Sequence, residues 1–274
     1  MIEQNGFSNL KQLIQNEAHL DISQYKDSYI QRRVNTRLNL TNTSNLTDYL
    51  TLLKNDRDEF KCLMDSLTVN VTEFFRNMET FEGLENEVIP KIIKEKEHDS
   101  RDIIKVWSAG CASGEETYSL TILFLEALRK SKKDYKLMVF GTDIDSKSLM
   151  KAKIGSYDKS KVGGIRPELL EKYFDNVGSE YKIKPGVKQH IKFSSLDLNG
   201  DIEKNLIIYD LIVCRNVVIY FKTEVKEVLF LKFCKMLRKN SYLVLGKNET
   251  IIGPGMQHLK NVNISERIYQ KQIK

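Results

Sequence analysis

Through residue 95 the apolar positions recur at helical spacing, and polar clusters divide them into runs near 7–18, 24–40, 45–54, 56–69 and 78–95. Thr41-Asn-Thr-Ser-Asn45 is turn material. Asn45 or Thr47 is placed to cap the third run, because a short polar side chain accepts a free N–H of a first helical turn. Pro90 predicts a kink or break late in the last run. Lys94 to Asp102 is dense in charge and reads as a solvated linker. Residues 1–95 are therefore expected to form an N-terminal helical domain.

From residue 103 the pattern changes. Ile103–Trp107, Leu137–Gly141, Ile191–Ser195, Leu211–Cys214 and Tyr242–Leu245 are short apolar runs that read as buried strands. Helical stretches near 116–130, 146–153 and 223–238 lie between them. This alternation predicts an α/β domain over 96–274, a largely parallel sheet with helices on both faces. Ile264–Gln270 reads as an antiparallel edge strand. Tyr181–Phe193 alternates apolar and basic residues about Pro185-Gly186, a turn signal, and predicts a small inserted β hairpin over about 178–193.

Composition narrows the class. The chain has 274 residues, 41% hydrophobic and 29% charged, as in ordinary globular proteins. No apolar run approaches the roughly 20 residues that span a bilayer. Residues 1–20 lack a signal-peptide pattern, so a cytoplasmic protein without membrane insertion is expected. Cys62, Cys111, Cys214 and Cys234 form no C-x-x-C pair and read as buried free thiols, with no metal site. A net charge of +6 is mild and does not require a nucleic-acid partner.

The candidate chemistry begins at Val106–Ser119. An apolar strand runs into Ala109-Gly-Cys-Ala-Ser-Gly114 and then into a helix with Leu120, Leu123, Phe124 and Leu128 at helical spacing. Strand, small-residue turn and helix open a nucleotide-type fold. Glu115 and Glu116 stand where a phosphate would lie, and no G-x-G-x-x-G or G-x-x-x-x-G-K-[ST] is present. A ligand with hydroxyls, an ammonium or a sulfonium fits two acids better, and S-adenosylmethionine carries all three. The competing reading is a tight turn with acids at favourable first-turn positions.

Ligands in open α/β sheets bind beyond the carboxyl ends of the strands. That rule selects Asp143, as acceptor for a ribose diol or as helix cap beside Asp145 and Ser146. It selects Asp197-Leu198, as adenine neighbour or turn former, and Arg215-Asn216 after a fully apolar strand. Tyr220 and Phe221 are aromatic walls or plain packing. Asn70, Thr72 and Arg76 interrupt the helical region and read as a helix end packed on the next domain.

Together these segments resemble the CheR family of chemotaxis-receptor methyltransferases. The matching runs are Asn70-Val-Thr-Glu-Phe-Phe-Arg76, Val106–Ser119, Gly141–Asp145 with Lys151–Tyr157, Asp210–Phe221 and Leu237–Gly246, in family order over about residues 20–270. The resemblance implies a Rossmann-like class I S-adenosylmethionine-dependent methyltransferase sheet, an N-terminal all-helical domain and a small inserted antiparallel β subdomain. It implies cofactor contacts from Asn70, Thr72, Arg76, Glu115, Asp143, Asp197, Leu198, Arg215 and Asn216, with Arg76 and Tyr220 at the reaction centre. It implies methyl transfer to receptor glutamates, S-adenosylhomocysteine as product, receptor cytoplasmic domains as partners, and a monomer. Lys26, Arg33 and Arg37, on one face of the second helical run beside Ile30 and Val34, become a docking surface for an acidic receptor; otherwise they are a solvated basic face. The chain departs from the family at Thr117, where Pro is usual, at Asp197, where Asn is common, and at Gly246-Lys-Asn-Glu249, where the family carries Gly-His-Ser-Glu. Two other functions compete: an RNA methyltransferase using the basic helix, and a cofactor-sensing adaptor without turnover.

Overall fold

A computed structural model describes residues 4–18, 20–68, 70–97, 102–131, 133–205 and 207–272. The chain forms two compact units: residues 1–69 with 220–225, and residues 70–219 with 226–274.

The first unit carries α1 (Gln4–Ala18), α2 (Asp27–Leu40), α3 (Leu46–Asn55) and α4 (Arg57–Leu67). Asn45 caps α3 by accepting the Asp48 N–H, and Asp56 caps α4 by accepting from Asp58 and Glu59. Leu10, Ile14, Ile30, Val34, Tyr49 and Leu63 are fully buried.

The second unit opens with α5 (Met78–Gly83), a π-helical turn (Leu84–Val88) and α6 (Ile89–Glu97). Pro90 does not break this helix. The π turn stands directly before it, where an α-helical carbonyl would meet the proline ring. Next come β1 (Ile103–Ala109), α7 (Glu115–Arg129), β2 (Lys136–Asp143), α8 (Ser146–Ile154), β3 (Ser156–Asp158), α9 (Lys159–Val162) and α10 (Pro167–Tyr173). They are followed by β4 (Phe174–Val177), β5 (Glu180–Ile183), α11 (Pro185–Lys188), β6 (Ile191–Ser195) and β7 (Tyr209–Cys214). The chain continues through α12 (Thr223–Met236), β8 (Leu237–Leu245), β9 (Leu259–Asn263) and β10 (Ile268–Lys271).

The main sheet has seven strands in the order β6-β2-β1-β7-β8-β10-β9. β6, β2, β1, β7 and β8 are parallel, and β10 runs antiparallel to both of its neighbours, β8 and β9. From β1 the chain first builds outward through β2 to β6 and later returns to β7, so the order reverses between β1 and β7. A crevice forms at such a switch point. Every residue of β7 is buried, as a strand covered on both faces requires.

Several expectations are corrected. The units divide at 69/70, not near 95, because Phe81, Leu84, Val88, Ile89 and Ile92 pack into the cluster formed by β1, α7 and β8. That burial places α5 and α6 with the sheet. The charged run is not all solvated linker: α6 extends to Glu97, and Lys96 is buried with its ammonium 2.9 Å from Asp210 Oδ1. The inserted element is a three-stranded sheet, β3-β5-β4, reaching back to residue 156. Its hairpin turns at Gly178-Ser179, while Pro185 starts α11. Residues 268–271 form an interior antiparallel strand, and β9 takes the edge. Cys62 is exposed; the other three thiols are buried.

Asp210 is the fastening at the amino ends of the central strands. Its Oδ1 also accepts from Arg238 Nε at 2.9 Å, and its Oδ2 from the Lys105 N–H at 2.8 Å. Removing it strands a buried ammonium. Asp210→Ala is expected to lose about 3–5 kcal/mol, read as a lower urea midpoint.

Candidate active site

β1 ends in a loop whose backbone turns sharply. The Gly110 and Cys111 N–H groups both donate to Thr142 O, at 2.8 and 2.9 Å. Gly110 has φ +78°, and a Cβ there would lie 2.3 Å from Val217 Cγ2. Gly114, at φ +95°, precedes the first turn of α7, and its Cβ would lie 2.9 Å from that of Ala152. Larger residues at either position would be strained and would close the loop.

The two acids after this loop do different work. Glu115 is buried and accepts from Ser113 Oγ at 2.8 Å. Glu116 accepts from Ser108 Oγ at 2.8 Å and pairs with the Arg215 guanidinium at 3.4 Å. Burial raises both carboxyl pKa values; the Ser113 hydroxyl opposes this at Glu115 and the Arg215 charge at Glu116.

Asp143, at the end of β2, is not the helix cap. Asp145 caps α8, accepting from the Lys147 and Ser148 N–H groups at 3.0 and 3.2 Å. Asp143 instead accepts the Ala112 N–H at 2.8 Å and the Asp145 N–H at 2.9 Å, one on each oxygen. Ala112 has φ +46°, so this bond holds the loop in a conformation costly for a residue with a Cβ. An ionised carboxylate offers about four acceptor sites, so Asp143 keeps capacity for further donors.

The segment after α4 is an irregular loop and turn, not helical, with Phe75 and Asn77 in the left-handed region. Asn70 Nδ2 donates to Asp145 Oδ2 at 2.6 Å, and the Phe75 N–H donates to Ser119 Oγ at 3.0 Å. Thr72 is buried, and its carbonyl accepts from Lys161 at 3.5 Å. Phe74 packs edge-on against Tyr157 and Phe174. Arg76 is half-buried and donates to Val71 O at 2.9 Å.

After β6, Asp197 forms a turn by accepting the Asn199 N–H at 2.9 Å, and Leu198 is buried. Both amide atoms of Asn199 are buried without a hydrogen-bond partner among the described residues. After β7, Arg215 is buried, and besides Glu116 it donates to Arg76 O at 2.7 Å and Asn77 Oδ1 at 2.8 Å. Its two terminal nitrogens are engaged by protein atoms, which casts it as a support for residues 76–77, while its buried Nε has no hydrogen-bond partner among the described residues. Asn216 has φ +61° and, among the described residues, an uncommitted side-chain amide.

In the helical unit, Tyr220 O accepts the Lys26 N–H at 2.9 Å, and its ring lies 4.7 Å from that of Tyr29. Lys26 is exposed; Arg33 is half-buried, 5.4 Å from the Tyr29 ring. Arg37 corrects the expected docking face. It turns inward to an ion pair with the buried Glu59, which also accepts from Tyr49 Oη at 2.6 Å. Ile30 and Val34 are likewise core, so that stripe faces inward at its centre.

Comparison with known proteins follows this architecture. The model of the CheR methyltransferase SAM-binding domain matches residues 70–268, and that of the CheR all-alpha domain matches 5–68. The chain belongs to the CheR methyltransferase family. A chemotaxis protein methyltransferase of Borreliella burgdorferi is 30% identical over 255 residues, 92% of this chain and 90% of that protein. One from Listeria innocua is 33% identical over 255 residues, 92% of each. An uncharacterized 104.1 kDa protein of Rhodobacter capsulatus is 32% identical over 228 residues, and the match spans 24% of its length.

The residues fit the CheR cofactor, S-adenosylmethionine. Asp143 keeps acceptor capacity beside a loop of small residues, and Asn199 offers a buried donor and acceptor with no partner among the described residues.

Glu249 was not among the sequence candidates. Its buried carboxylate accepts four backbone N–H groups: Gly246 at 2.7 Å, Asn216 and Val217 at 2.9 Å, and Ile219 at 3.2 Å. It thereby shapes the turn that presents Asn216. The available signal was an acid three residues past the glycine that ends an apolar strand. Glu249→Ala would leave four donors unmatched and is expected to cost about 3 kcal/mol or more in urea unfolding, with Glu249→Gln losing less.

Proposed function

We propose that this protein transfers the methyl group of S-adenosylmethionine to glutamate side chains of chemotaxis receptors. The observation that carries the reading is Asp143, a half-buried carboxylate bonded to the strained Ala112 of the small-residue loop and still able to accept from a diol. When bound, the cofactor supplies an activated methyl on a sulfonium and leaves as S-adenosylhomocysteine. Asp143 would hold the ribose, Asp197, Leu198 and Asn199 would face the adenine, and Asn70, Thr72, Glu115 and Asn216 would line the remainder. Arg215 acts behind them, through Arg76 and Asn77.

A glutamate carboxylate, with a reference pKa near 4.3, is already ionised at neutral pH, so the nucleophile needs no general base. The protein's task is orientation and partial removal of water. Arg76, with part of its guanidinium uncommitted, would align the carboxylate. Lys26 and Arg33 would meet an acidic receptor; Arg37 supports that helix from inside through Glu59.

Labelled methyl should pass from S-adenosylmethionine to receptor cytoplasmic domains as a base-labile ester, with Arg76→Ala lowering kcat/KM about ten- to a hundredfold. Cofactor binding with no base-labile label on any receptor domain would refute the reading. Cofactor affinity should also depend on pH. Burial raises the Asp143 pKa against the opposing Asp145 and Ala112 N–H bonds. Only the ionised form accepts two hydroxyls, so affinity is full at higher pH and falls as pH drops through that raised value. The fall should begin above the ordinary Asp range near 3.9. Calorimetry should find weaker binding and a smaller acid limb in Asp143→Asn, since Glu115 keeps its own raised pKa.

A further inference from the structure

α8 presents a face that the proposed chemistry does not use. Ser148, Leu149 and Ala152 are buried, which fixes the rotation of the helix. Met150 and Ile154 stand four residues apart on the opposite side, 62% and 61% exposed. Lys147, Lys151 and Lys153 are exposed and flank this apolar pair on both sides. Among the described residues, no carboxylate lies within ion-pair distance of Lys151 or Lys153. At the carboxyl end, Lys188 Nζ donates to Ile154 O at 2.6 Å. Burial and the nearby Lys182 charge hold Lys188 below the usual lysine range.

Single exposed apolar side chains are common; a stacked pair framed by cations on one short helix is a narrower feature. The pair forms a ridge one helix wide, complementary to the groove between side chains on a second helix. The cations around it call for carboxylates on both flanks of that helix. A bilayer fits less well. Membrane-surface helices bury a whole apolar face, whereas the apolar face of α8 is already packed inward.

We infer that α8 is a docking surface for an acidic, amphipathic helix of the substrate protein, with Met150 and Ile154 at its centre and Lys147, Lys151 and Lys153 at its rim. This rests on the methyl-transfer reading. The position suits it, since the α8 cap Asp145 bonds both Asn70 and, through its N–H, Asp143. Met150 lies about 8 Å along the helix from that cap. A helix seated there would run beside the proposed cofactor site.

The test uses the full chain and a receptor cytoplasmic domain, with affinity from calorimetry and methyl label counted in the same mixtures. Lys151→Glu/Lys153→Glu and Met150→Ser/Ile154→Ser change only exposed side chains and should keep cofactor affinity. Each pair should weaken receptor binding about tenfold or more, and added salt should shrink only the effect of the lysine pair. Unchanged receptor affinity in both variants overturns the inference. So does wild-type chain that fails to bind the receptor, or variants that lose only binding to phosphatidylglycerol vesicles. Receptor that is bound but unlabelled, with binding weakened in the variants, upholds the docking surface and refutes the methylation reading. Labelled receptor with unaltered affinity in the variants does the reverse.

Discussion

The Arg215 guanidinium is the interaction on which the rest of the site depends. It lies at the end of the fully buried β7 and reaches three places: Glu116 in the first turn of α7, Arg76 O and Asn77 Oδ1. One planar cation thus ties the first turn of α7 to the segment that carries Asn70, Thr72 and Arg76. Arg suits this role because its donors form a fixed fork and its charge persists when buried. Such a pair contributes little net stability, since taking both ions out of water offsets their attraction. What it provides is one arrangement of three segments.

The acids of the site follow a common pattern. Asp143 fastens the loop that contains Ala112, Asp145 caps α8 and holds Asn70, and Glu249 gathers four N–H groups around the turn bearing Asn216. Each shapes backbone before any ligand arrives. Turns at strand ends leave N–H groups outside the sheet ladder, and a buried carboxylate with several acceptor sites can satisfy more than one. The cost of burying these acids is visible in the raised pKa values of Asp143 and Glu249.

Much of this was legible along the chain. The β6 run was read at its observed limits, Ile191–Ser195, and α7 and α8 to within about a residue, because apolar periodicity reports burial directly. The position of Asp143 at a strand end was legible for the same reason. Partners were not. Glu115 and Glu116 are neighbours in sequence, yet one bonds Ser113 in the loop and the other an arginine 99 residues away. Arg37 shared the helical spacing of Lys26 and Arg33, but spacing gives no sign that Glu59 waits inside.

The sequence by itself determined the long helices and the parallel strands, the switch from helical repeat to strand-helix alternation, and the order of the small-residue loop and strand-end acids. These are local: they follow from side-chain periodicity and backbone preference over a few residues. Tertiary structure decided where one unit ends and the next begins, since the apolar face of α5 and α6 packs on the sheet. It also decided which charges stay outside, sending Lys96 to Asp210 and Arg215 to Glu116 while leaving Lys151 and Lys153 exposed. A charge is buried only where an opposite charge or hydrogen-bond donors meet it in space, and distance in space is not written in distance along the chain.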